Sequence, residues 1–149
     1  LVTAKSANRP AGKNGVVALL RSRDGDFRSW EYLPPVADPG FYSEMEVAQI
    51  LKNPNSGVEL VFSTGPKYDA TPGSMGSGGL YGIKSATALS FKNKPHILSP
   101  FEDGLYACRI ISELDGEIVG FDHRTGGIRR SGIKTGYQSI NRNFKNWKI

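Results

Sequence analysis

Two dipeptides, Asp24-Gly25 and Asp115-Gly116, each stand between two runs of strand-forming residues: "GVVALLRS" (15 to 22) and "FRSWEYL" (27 to 33) around the first, "LYACRIISEL" (105 to 114) and "EIVGFDH" (117 to 123) around the second. Asp-Gly supplies the positive φ that a tight hairpin turn needs, so each pattern predicts two antiparallel strands joined by a short connection. A chain with two such hairpins, 18 glycines and 9 prolines in 149 residues is expected to be built from short elements and turns. At that length it is read as one globular unit.

Between the hairpins the pattern stays mostly β. "PPVADPG" (34 to 40) reads as a break, since proline donates no amide to a ladder. "FYSEMEVAQIL" then alternates, with Phe41, Met45 and Val47 on one face and Tyr42, Glu44 and Glu46 on the other. "VELVFS" aims Val58, Leu60 and Phe62 one way. Residues 64 to 79 read as a glycine-rich loop. In "LYGIKSATALSFK", Leu80, Ile83, Ala86 or Thr87, and Leu89 recur at three to four residues and predict one helix. A further strand is expected from Ile128, and the tail "YQSINRNFKNWKI" carries Ile140, Phe144 and Trp147 at the spacing of a short amphipathic helix. The expected fold is mainly β: a small antiparallel, OB-like barrel with one helix after its strands and an appended β segment. Residues 1 to 91 would form barrel and helix, and 92 to 149 a basic β-rich extension packed on the same domain.

Charge is distributed in blocks. Residues 1 to 23 hold Lys5, Arg9, Lys13, Arg21 and Arg23 with no acidic residue; residues 124 to 149 hold seven cations, Arg124, Arg129, Arg130 and Lys134 among them, again without an acidic side chain and with Tyr137, Phe144 and Trp147 interleaved. Cations without acidic neighbours attract polyanions, and rings among them offer faces for unpaired bases, so single-stranded nucleic acid is the expected ligand. Lys5, Arg9, Lys13, Arg21, Arg23, Arg28, Lys52, Lys67, Arg129, Arg130 and Lys134 are the candidate phosphate contacts, and Trp30 the candidate stacking ring. Alternation with Phe27 and Tyr32 leaves the face of Trp30 open. The bland alternative is a solvated basic surface.

Signals for chemistry are sparse. His123 with Glu113 or Glu117 as acid and base, and Arg124 or Arg129 on the phosphate, would suit a small delivered ribonuclease toxin. Cys108, the sole cysteine, lies in an apolar strand pattern and reads as buried and inert. Asp24/Asp26 and Glu44/Glu46 are i,i+2 pairs that fit a turn and a solvated face better than a metal, and "GSMGSGG" lacks the lysine of a phosphate-cradling loop. No cofactor or metal is expected. No apolar run of membrane-spanning length and no signal-peptide pattern is visible. A third reading is an interaction module whose basic tail docks on an acidic protein.

In their order, "VVALL" (16 to 20), the W-x-x-x-P of Trp30 to Pro34, "FYSEME" (41 to 46), "GPK" (65 to 67) and "GGLYGIKSATAL" (78 to 89) resemble the coronavirus and nidovirus replicase subunit called non-structural protein nine. The resemblance covers about residues 15 to 91. It implies a non-enzymatic, largely sequence-independent single-stranded RNA-binding protein, working beside a viral polymerase at replication complexes in the host cytoplasm. It also implies a homodimer formed through a Gly-x-x-x-Gly helix, with Gly78, Gly82, Ser85 and Ala86 at the contact, because glycines four apart let two helices approach closely. The chain departs from the family in its extension, in the longer loop over 65 to 78, and in the start "LVTAKSAN", to which the family's nucleotide-acceptor role does not carry over.

Overall fold

The computed structural model describes residues 1–23, 25, 27–55, 57–70 and 77–140. Strands β1 (Val2–Lys5), β2 (Gly15–Ser22) and β3 (Trp30–Ala37) form one antiparallel sheet in that order. Five more, β4 (Glu46–Lys52), β5 (Val58–Thr64), β6 (Gly79–Ser85), β7 (His96–Pro100) and β11 (Gln138–Ser139), make a sheet of order β11-β4-β5-β6-β7. The third sheet is β10-β9-β8, from β8 (Leu105–Ile111), β9 (Glu117–Asp122) and β10 (Ile128–Lys134). The protein is mainly β with antiparallel sheets, and its described residues contain three short 3-10 turns and no α-helix.

The five-stranded sheet is covered on both faces. Leu60, Phe62, Tyr81 and Ile83 meet Val17, Val36 and Ala37 of the first sheet, with Tyr42, Met45 and Phe91 completing that core. Leu51, Val61 and Leu80 meet Leu105, Cys108, Ile110 and Ile118 of the third, with Tyr137. A strand buried on both faces has no polar side to show, which is why its sequence does not alternate.

That double burial overturns the helix expected over 80 to 91. Residues 79 to 85 are β6, paired along their length with β5 (Leu60↔Ile83, Phe62↔Tyr81) and on the other side with β7 (Gly82↔His96). The three-to-four spacing of apolar residues arose from a strand filling two cores followed by a turn. There the Ser85 hydroxyl donates to Ser90 O at 2.6 Å and accepts from Thr87 N at 3.1 Å, bonds that favour a turn over a helix. With no helix, the helical dimer contact has no basis. Gly78 is packed so that a Cβ would meet Pro66 N at 2.6 Å, and Gly82 lies beneath the Glu59 carboxylate, 1.9 Å from where its Cβ would be. Ser85 ends β6 and Ala86 lies in the turn beyond it.

Other expectations shift similarly. Pro34 and Pro35 do not end β3: the register changes from Leu19↔Leu33 to Val17↔Ala37, so the prolines sit in an outward bulge on an edge strand, where no ladder amide is required. Tyr42, assigned to a polar face, is fully buried, and "HILSP", given no element from sequence, is β7. Both Asp-Gly hairpins are present as strand pairs, and β10 begins at Ile128. Of the tail, Tyr137 is core and Gln138–Ser139 pairs with β4; Phe144 and Trp147 lie outside the described residues.

Candidate nucleic-acid interface

At the far end of the β2–β3 hairpin, Ser22 pairs with Trp30, Arg21 with Glu31 and Leu20 with Tyr32. Side chains two apart on a strand share a face, so Trp30 and Tyr32 project together. Neither is core: Trp30 is 47% exposed, Tyr32 81%, and Phe27 in the connection 71%. The Trp30 indole is held, not loose, since Nε1 donates to Phe27 O at 3.1 Å and the two rings meet at 5.9 Å with a 45° tilt. Three exposed rings on one hairpin place apolar area in contact with water at one end of the first sheet.

Cations flank them. Arg21 donates from both Nε and a terminal nitrogen to one Glu31 oxygen, at 3.3 and 2.8 Å, and this pairing holds the Glu31 carboxyl below its ordinary range. Arg23 is exposed and makes no ion pair with the described residues, and Arg28 is exposed beside Phe27. An exposed guanidinium next to exposed rings is what a flexible polyanion with stackable bases requires.

The other candidate cations do not converge here. Lys5 donates to Ser43 O and lies 3.6 Å from Glu44. Arg9 pairs with Asp38 at 3.1 Å. Arg129 pairs with Asp122 at 2.6 Å, while Arg130 and Lys134 share the buried carboxylate of Glu117. Lys67 lies 4.7 Å over the Tyr68 ring, and hydrogen bonding and charge interaction with the Tyr68 hydroxyl raise its pKa. Lys13 and Lys52 are exposed and unpaired among the described residues. Arg129, Arg130 and Lys134 thus find their carboxylates in β9, the neighbouring strand, outside their own stretch of sequence.

His123 stacks on Phe101 at 4.0 Å, nearly parallel, with Nε2 3.1 Å from Phe101 O. Glu117 is committed to Arg130, Lys134 and the Gly132 amide, so it does not serve this histidine. His96, given no role from sequence, is half-exposed, with Nε2 3.0 Å from the fully buried Glu59. Burial pushes the Cys108 thiol up to about 11, which leaves it protonated and unreactive at neutral pH. Among the described residues no three His, Cys, Asp or Glu side chains cluster as a metal site requires.

Tyr32 was legible as a companion of Trp30 from its i+2 position, had the exposed face been known. Compared with known proteins, the chain matches no family model, and no curated protein or solved structure shows significant similarity to it. No helix of the described residues is long and apolar enough to cross a membrane.

Proposed function

We propose that this chain is a non-enzymatic single-stranded RNA-binding protein with little sequence preference, whose binding surface is the β2–β3 hairpin. The observation that carries the reading is the pair of rings, Trp30 and Tyr32, exposed on one face of an edge strand with Arg23 alongside. Rings accept any base, and cations contact phosphates without regard to sequence. The reading keeps the ligand expected of a small OB-like barrel and places it on a hairpin. A role beside a viral polymerase rests on the resemblance alone, and dimerisation through a helix is no part of the proposal.

Filter binding of labelled single-stranded and duplex RNA across a salt series tests it. The expected result is preference for the single strand, with affinity falling as salt rises by about 0.7 log units per log unit of salt for each phosphate contacted. Equal affinity for the duplex, or affinity indifferent to salt, contradicts it.

A further inference from the structure

β3 carries more than the two rings. Its next turn of chain, Pro35 and Val36, forms one wall of a groove of about 610 Å³ whose other wall is residues 90 to 95. That volume lies within the range of small-ligand sites. Its apolar lining is flat: proline faces from Pro35, Pro39 and Pro95, with Phe41 and the buried Phe91. Its charge is positive. Arg9, Lys92 and Lys94 stand against one carboxylate, Asp38, which is engaged by Arg9 at 3.1 Å. Lys92 and Lys94 are exposed and make no ion pair with the described residues.

The lysines are presented by a fastened wall. Phe91 N donates to Val36 O at 2.8 Å, tying the wall to β3, and Asn93 Nδ2 donates to Lys84 O at 2.7 Å, anchoring the residue between the two lysines. Flat apolar faces with adjacent unpaired ammonium groups complement a ligand that is planar and anionic at once. Along β3, Tyr32 and Pro35 are three residues apart, so a strand leaving the ring face reaches the groove by passing over the outward bulge at Pro34 and Pro35.

We propose that this groove is a nucleotide subsite continuous with the hairpin: one strand of RNA that stacks on Trp30 and Tyr32 runs along β3, seats a base against Phe41 and the prolines, and places phosphates on Lys92 and Lys94. This rests on the function proposed above and adds a path and a site size to it.

The test titrates the whole protein with fluorescein-labelled oligouridylates of two, four and eight nucleotides at several salt concentrations, for wild type, Lys92→Gln/Lys94→Gln and Trp30→Ala/Tyr32→Ala. All these side chains are at the surface, and a melting curve checks that each variant is folded. The wild type should gain affinity steeply between the dinucleotide and the longer oligomers. The lysine variant should lose that gain and lower the salt slope by about 1.4, two phosphates at about 0.7 each, while still binding the dinucleotide. A lysine variant with wild-type slope and length dependence overturns this inference alone, and a hairpin variant that binds as wild type overturns the function proposed above. Poly-glutamate competing as well as oligouridylate, through the same lysines, also overturns it, since that ligand offers no base to the groove.

Discussion

Glu59 has no solvent exposure, yet it carries a carboxylate into the interior of a β protein. Three side chains meet it: Asn53 Nδ2 donates to Oε2 at 2.5 Å, the Tyr137 hydroxyl donates to the same oxygen at 2.7 Å, and His96 Nε2 lies 3.0 Å from Oε1 without the alignment of a hydrogen bond. The path to His96 crosses β6, and it is open only because position 82 has no side chain. Gly82→Ala should therefore destabilise the fold by about 1–3 kcal/mol, the cost of overpacking a filled interior, read as a lower urea midpoint. Tyr137→Phe removes a donor to a buried carboxylate, and a loss of about 1.5–3 kcal/mol in the same assay is expected. An unchanged midpoint for either variant contradicts this account of the cluster. The glycine itself was conspicuous in the sequence, but its purpose was not, because the carboxylate it accommodates comes from a strand more than twenty residues earlier.

At the scale of elements, β9 and β10 are joined by charge as well as by their ladder. Glu117, buried on β9, accepts from Arg130, Lys134 and the Gly132 amide, and the Arg130 guanidinium, then Lys134, hold its carboxyl down to about 2 from an ordinary 4.5. A depressed carboxylate pKa means that its stabilisation is present in full above 4.5 and is lost as pH falls toward 2. Thermal melts between pH 6 and 2 should show a steep fall for wild type and a shallower one for Glu117→Gln, which starts lower at pH 6. Matching slopes contradict the assignment. The residual slope of the variant is expected in part from Asp122, lowered chiefly by the Arg124 amide and also by Arg129. The two Asp-Gly hairpins were legible because a turn signal and its flanking strands are neighbours in sequence. β6 was not, since burial on both faces erases the period of two, and β7 hid behind Pro95 and Pro100. Where β8 bulges between Tyr106 and Arg109, the Cys108 amide donates to Ser63 and the Ile110 amide to Gln49 Oε1, a side-chain bond between sheets that no local pattern announces.

For the whole molecule, the net charge of +5 says less than its placement. Of the cations concentrated toward the carboxy-terminal end, Arg129, Arg130 and Lys134 are answered by Glu117 and Asp122, and among the described cations without an ion pair, Arg23 lies beside β3 and Lys92 and Lys94 on the 90 to 95 wall. Sequence alone suggested the proposed ligand class and Trp30; the exposed face of Trp30, and Tyr32, Lys92 and Lys94 as its proposed companions, required the strand register and the turn that replaces the expected helix. The most direct test is the affinity of Trp30→Ala for a single-stranded oligouridylate at moderate salt. Loss of about 1–3 kcal/mol, roughly 5- to 150-fold, with the melting temperature unchanged is the predicted result. Wild-type affinity in that folded variant contradicts the central claim that RNA stacks on this hairpin.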